Sequence, residues 1–299
     1  MDKKRRNPLS FAAATTAGLL AVLALCFPPV ARGANRALAV VQTALHQYDG
    51  GPPVPASFEF FPGDIVFVTF RISGFHTVTN EDDQDRLQLL YTVEALDPEG
   101  VPLKETDKGA IAETLTRQDK KQKWLPLVRY ETPIPPAAPP GAYRIVVNVQ
   151  DKLNNTTAKG EIPFKVDGPA IEPSDTLALR NFHFYRTETA MQPLARPVYR
   201  PGNSVWARFD ITGYKFGENN RFKIDYGIRV FRANGKLLFE QPIAAQEERE
   251  SFYPERHIGG GLSLNLTKDL TPGEYTVIVI VHDRIGDQTY KEEHTFEVR

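Results

Sequence analysis

The chain has 299 residues, a net charge of −1 from 36 basic and 37 acidic side chains, and a single cysteine. That balance excludes the strongly basic surface that nucleic acid selects, and one cysteine excludes a disulfide framework. No long helical periodicity runs through the sequence, so an all-β chain of short strands between turns is expected.

Residues 1–34 read as an export signal. Lys3-Lys4-Arg5-Arg6 is a positive leader, the run from Phe11 to Phe27 is apolar, and Ala31-Arg32-Gly33 places small residues at the cleavage positions. An uncleaved anchor is the alternative, because a run of about 17 residues is marginal for a span. Arg5-Arg6 invites a twin-arginine reading, but Pro8 stands where such signals carry a large apolar residue. Leu25 before Cys26 departs from a lipoprotein motif. Ordinary secretion is the reading, with an extracytoplasmic location, periplasmic or secreted, and membrane contact only through this segment if it stays attached. Cleavage near Gly33 would remove the cysteine and, with five basic and one acidic residue lost, take the net charge from −1 to −5.

The elements then come twice. Leu38 and Val40 open a first strand. After the turn Pro62-Gly63, Val66, Val68, Phe70 and Ile72 alternate apolar with polar, as a strand with one buried face requires. Leu87, Leu89, Tyr91 and Val93 mark the next strand, ended by the turn Asp97-Pro98-Glu99-Gly100. Weaker strands are expected over 111–116 and 124–130. Thr132–Pro140, with its five prolines, is read as a stiff extended connector. Tyr143, Ile145, Val147 and Val149 form a strand after Pro140-Gly141, and Phe164 and Val166 close the unit.

The stretch 169–175 carries two prolines and is a semi-rigid linker. Beyond it the order returns. Leu177 and Leu179 match Leu38 and Val40; Val205, Ala207, Phe209 and Ile211 match Val66 to Ile72 at an offset of 139. Phe222, Ile224, Tyr226 and Ile228 match at 135, followed by the hairpin signal Asn234-Gly235. Weaker strands are expected over 237–241 and 262–266. Tyr275, Val277, Val279 and Val281 match at 132, and Phe296 and Val298 end the chain. Two units of one kind follow, spanning 36–168 and 174–299, each with about seven strands.

Short strands at this spacing resemble the immunoglobulin-like or fibronectin-type sandwich, and the Pro-Gly-x-Tyr pattern at Tyr143 and Tyr275 is similar to that of macroglobulin-like domains and of many exported bacterial modules. The resemblance implies two tandem antiparallel β-sandwiches. It also implies that Tyr143 and Tyr275, each just after Pro-Gly-x, are tyrosine corners whose hydroxyls bond back to an upstream backbone group. The paired cysteines and core Trp of antibody domains are missing, since Ile145 and Val277 stand two residues after each Tyr.

No Gly-x-Ser-x-Gly, His-Glu-x-x-His, phosphate loop or dinucleotide fingerprint occurs, so no catalytic residue, metal ligand or cofactor is assigned. His257-Ile258-Gly259-Gly260-Gly261 is read as a flexible turn before a strand at 262–266. His282-Asp283 meets Gln150-Asp151 in the other copy; the shared Asp points to turn chemistry. Glu81-Asp82-Asp83-Gln84-Asp85, at the same end as Asp151 and Asn154-Asn155, lacks the alternating spacing of a calcium loop and is read as solvated. Phe67 and Trp206 share one position on the polar side of their strands, and Ile278 and Ile280 also point away from the inferred core. These four are the candidate ligand-binding residues.

The sequence therefore reads as a non-enzymatic envelope protein that binds a protein or polysaccharide. Two other readings stand beside it: an inhibitor or chaperone acting by strand addition, and a hydrolase with a site between the units.

Overall fold

The computed structural model describes residues 37–82 and 84–299. The N-terminal segment read as an export signal, with Cys26, and Asp83 of the acidic run lie outside the described residues. The described residues form one compact unit.

The first repeat contributes β1 (Ala39–His46), β2 (Glu59–Phe60), β3 (Ile65–Ser73), β4 (Val78–Thr79), β5 (Asp85–Leu96), β6 (Asp107–Leu115), a short helix α1 (Arg117–Gln122), β7 (Leu127–Pro133), β8 (Gly141–Asp151) and β9 (Thr157–Val166). The second contributes β10 (Ala178–Tyr185), β11 (Val198–Tyr199), β12 (Ser204–Thr212), β13 (Phe222–Arg232), β14 (Leu237–Arg249), β15 (His257–Asn265), β16 (Gly273–Asp283) and β17 (Gln288–Val298). In each repeat a three-stranded sheet, β1-β3-β7 or β10-β12-β15, faces a larger one, β2-β9-β8-β5 with β4 and β6 or β11-β17-β16-β13-β14. Pairing is antiparallel except at β2–β9 and β11–β17. The chain is all-β, in two sandwiches.

The alternating stripes face inward as the sequence requires. Val66, Val68, Phe70 and Ile72 are buried in one core, and Val205, Ala207, Phe209 and Ile211 in the other. Each of these valine, isoleucine and phenylalanine side chains contributes about 1.5–3 kcal/mol on leaving water. The duplication reaches the backbone. The first strand of each repeat is bulged, at Gln42 and at Asn181, both with positive φ. Gly74 and Gly213 likewise share a left-handed turn, φ 73° and 76°. At Gly213 a Cβ would stand 1.9 Å from the Thr176 carbonyl, so only glycine fits.

Four local expectations change. His257–Gly261 is the first half of β15, not a turn. Gly260 pairs with Phe209, and a Cβ there would stand 2.2 Å from that ring, so the glycine makes room for an aromatic lying across the strand. The strand expected at 124–130 starts at Leu127, because Thr116 caps α1 and Lys123 ends it in a left-handed conformation. The strand expected at 237–241 runs on to Arg249, through a bulge at 242–244 that accommodates Pro242. Finally, the proline-rich segment is part of the core. Ile134 and Ala138 are buried, and Ile134 exchanges backbone hydrogen bonds with Gly63 and Asp64.

Candidate functional site

The four residues picked from sequence lie on three separate faces. Phe67, on the outer side of β3, is half-buried between His46 and Glu131. Trp206, on β12, lies between Tyr185 and Ser263, with Arg208 stacked on the Tyr185 ring at 3.7 Å. Ile278 and Ile280 share the outer face of β16, flanked by Arg229 and Glu293 and by Gly227 and Lys291. The structure unites only the two isoleucines.

Tyr143 and Tyr275 donate to the carbonyls four residues upstream, Pro139 at 2.6 Å and Thr271 at 2.5 Å. Asp151 and Asp283 are both buried and organise loops. Asp151 accepts from the backbone N–H of His76 and Leu153; Asp283 accepts from Lys215, Ile285 and Gly286. His282 instead turns to Asp225, at 2.9 Å, which also holds Arg284. Burial pushes the Asp225 carboxyl up, but the Arg284 and His282 hydrogen bonds outweigh it and hold the group below its ordinary range. In the acidic run, Asp85 pairs with Lys120 at 2.9 Å and accepts from Thr79. Asn80 folds that loop by accepting from the Asp82 and Gln84 N–H groups.

A hollow of about 860 Å³ lies on the outer face of the six-stranded sheet in the first repeat. Register builds it from two cross-strand rows. One runs Lys108, Thr92, Asn148, Lys159; the next runs Ala110, Leu90, Gln150, Thr157. Leu90 is exposed at the centre, Asn148 reaches Thr92 at 3.4 Å, and Gln150 donates to Asn155 at 2.8 Å. The face offers amide and hydroxyl groups over an apolar floor, with an ammonium at each side. Alternation on β5 and β8 marks these residues as outward in the sequence. Their alignment across four strands needs the register.

Sequence reasoning missed the contact that locks the repeats together. Tyr253, in the loop between β14 and β15, is buried in the core of the first repeat. Its hydroxyl donates to Asp97 at 2.9 Å, and Arg256 reaches the same Asp97 oxygen at 3.2 Å and Glu99 at 3.0 Å. The other Asp97 oxygen accepts from the Glu99 and Val101 N–H groups, so a fully buried carboxylate is satisfied on both sides. Burial, followed by donation to Asp97, raises the Tyr253 hydroxyl far above its ordinary value. Beside Tyr253 a hollow of about 340 Å³ is lined by Pro135–Ala137, Glu255 and His257; burial holds His257 below its usual pKa. A third hollow, of about 490 Å³, opens at the end of the second sandwich between β14 and β15.

No protein-family model matches the chain, and no curated protein matches it. Similar solved structures include the C-terminal domain of the antigen I/II polypeptide BspA of Streptococcus agalactiae, 7% identical over 87% of this chain and 99% of that one, TM-score 0.29. The C-terminal domain of AspA, an antigen I/II-family protein of Streptococcus pyogenes, is 7% identical over 88% and 99%, TM-score 0.27. A family 123 glycoside hydrolase from Clostridium perfringens is 12% identical over 42% of this chain, which spans 27% of the hydrolase, TM-score 0.28. Scores this low carry neither family nor function.

Proposed function

We propose that the chain is an exported, non-enzymatic binding protein of the cell envelope. In this reading its two sandwiches are immunoglobulin-like domains over 36–168 and 174–299, joined by the linker 169–175. The tyrosine-to-carbonyl bonds at Tyr143 and Tyr275 support the superfamily. The observation that carries the binding role is the pair of rows across β6, β5, β8 and β9. They present amides, hydroxyls and two lysines over Leu90 and Ala110, a surface suited to hydrogen-bond an envelope polysaccharide or protein. The lock through Tyr253 holds that face at a fixed angle to the second repeat, as a scaffold requires.

The test is cell fractionation of the tagged full chain, followed by binding to envelope material treated with protease or with periodate. Envelope location with processing near Gly33 is expected, together with binding that Leu90→Asp and Asn148→Ala reduce about tenfold. Protease-sensitive binding identifies a protein ligand and periodate-sensitive binding a polysaccharide. A full-length cytosolic chain, or binding indifferent to both substitutions, overturns the proposal.

Strand addition is the second reading, favoured by β14. This 13-residue edge strand exposes Leu237, Phe239 and Ile243. Its bulge at Pro242 interrupts the row of free N–H groups, a device that protects edges, so the sheet-face reading is preferred.

A further inference from the structure

We infer that the hollow at the end of the second sandwich is a docking seat for a protein loop that carries an exposed aromatic side chain beside a carboxylate. The first sandwich supplies the template. There the same end, beside the Pro135–Ala137 segment and Tyr143, receives Tyr253 from the neighbouring repeat, with Asp97 as its polar anchor. The two ends are built from matching residues. Leu103, Ile134 and Ala138 of the first repeat stand at the positions of Leu238, Leu266 and Leu270 of the second, and Tyr143 and Phe164 at those of Tyr275 and Phe296.

The backbone closes alike in both. Ile134 and Leu266 donate to Asp64 and Asn203, and Ala138 and Leu270 to Pro135 and Thr267. Exposure differs. Leu103 is 4% exposed and Leu238 36%, while Leu266 and Leu270 are only partly covered where Ile134 and Ala138 are sealed. The hollow is floored by Tyr275, Phe296 and Val230 and rimmed by Leu238, Leu266 and Leu270. Aromatic anchors in such pockets carry most of a protein interface's energy.

The polar anchor has changed sign. Asp97 accepts from a tyrosine and an arginine; the second repeat has Arg232 at that place, level with Tyr275 on the neighbouring strand. A guanidinium only donates, and the Arg232 Nε is buried without a hydrogen-bond partner among the described residues. An unpaired buried donor is destabilising, which an incoming carboxylate would relieve. The occupant is therefore the charge-reversed counterpart of the Tyr253 loop. A second copy cannot supply that loop, since its own Tyr253 is buried in its first sandwich. The seat lies apart from the sheet face of β5, β6, β8 and β9 and does not depend on it.

Two nine-residue peptides test the assignment, one copying residues 249–257 and one carrying Arg256→Glu, each titrated into the full chain while leucine methyl resonances are followed. The Arg256→Glu peptide is expected to bind more tightly and to shift Leu238, Leu264, Leu266 and Leu270. Leu238→Asp on the protein, an exposed position that leaves the fold intact, should weaken binding about tenfold. Arg232→Glu should reverse the preference between peptides, and the milder Arg232→Gln should abolish it. Envelope binding through the sheet face should be unchanged in all three variants, so the two proposals fail separately. Three results overturn the seat: no leucine shift up to about 1 mM peptide, a peptide in the affinity range where weak contacts are still detected; equal affinity for both peptides; or self-association of the full chain that Leu238→Asp abolishes, which makes a second copy the occupant.

Discussion

Leu103 and Leu238 occupy one position in two copies of the same sandwich, and only one of them is buried. In the first repeat the chain after the turn at Asp97–Gly100 pairs briefly, with Leu103 donating to Ala95, and then irregular residues turn the side chain into the core. In the second repeat the corresponding segment runs straight into β14, and Leu238 is the extra residue between the pairs Val230–Phe239 and Phe231–Leu237. One residue of bulge decides whether the end of the sandwich is sealed. The sealed copy then takes Tyr253 as its last core residue, so the first repeat is completed by the second. The second is not completed in return. One sandwich therefore depends on its neighbour, and the other keeps an open end.

The sharpest way to break that comparison is Tyr253→Ala. Truncating a buried aromatic costs about 3–5 kcal/mol, and here the loss falls on the repeat that Tyr253 does not belong to. Chemical denaturation followed by hydrogen exchange should show protection lost in β5 and β8 before β13 and β16. Equal loss in both repeats would contradict the asymmetry. Tyr253→Phe keeps the ring and removes the bond to the Asp97 carboxylate, for about 1.5–3 kcal/mol.

Next in size is the matched pair Leu103→Ala and Leu238→Ala. The buried residue should cost about 2–5 kcal/mol, while the partly exposed one should stay within about 1 kcal/mol, as surface changes do. Similar values would mean that the open end is covered in solution. Smaller again are Gly109→Ala and Gly260→Ala. A Cβ at either position would stand 2.2 Å from a ring, Tyr91 in one case and Phe209 in the other. Overpacking of this kind costs about 1–3 kcal/mol. Both repeats use the same glycine-under-aromatic device in different sheets, so comparable penalties are expected from thermal melts.

Much of this was legible in advance because period-two patterning is a local signal. Val66 to Ile72 and Val205 to Ile211 fix which face is buried, and the falling offset of 139, 135 and 132 places the loop differences between strands. The glycine run after His257 was misread for a physical reason. Glycine lowers strand propensity on its own, and what favours it there is a ring from β12 that sequence distance hides. The middle strands were weak for a related reason, since β6 and β14 are edges with much of their length in water and little alternation to show. Tyr253 was invisible because it lies in a loop whose counterpart carries α1 instead, and it packs on residues about 150 positions earlier. A faint signal existed: an aromatic before proline within the acidic and basic run Gln246–Arg256, together with Asp97 opposite Arg232 in the alignment. The rows of the sheet face could be assigned to a side but not aligned, since cross-strand register depends on turns whose lengths differ between copies.

The smallest expected effect concerns pH, and it again separates the repeats. His257 and His294 both belong to the second, and burial pushes each below the ordinary value of 6.5, with nearby carboxylates only partly opposing it. The His294 ring is stacked on Phe182 with centroids 3.5 Å apart, in a place where a charged imidazole is poorly solvated. For each group the neutral form is favoured in the folded state. The unfolded chain therefore takes up protons first as pH falls through 6.5, and stability declines from there toward the lower folded-state value. Asp85 and Asp225, held below 3.8, act in the same direction but only once pH approaches that value. Between pH 7 and 5 the second repeat should lose protection in β15 and β17, and His257→Gln with His294→Gln should flatten that dependence. Hydrogen exchange at the two pH values checks it. A loss centred on the first repeat, or one unchanged in the double variant, would show that these two half-buried imidazoles do not set the acid response.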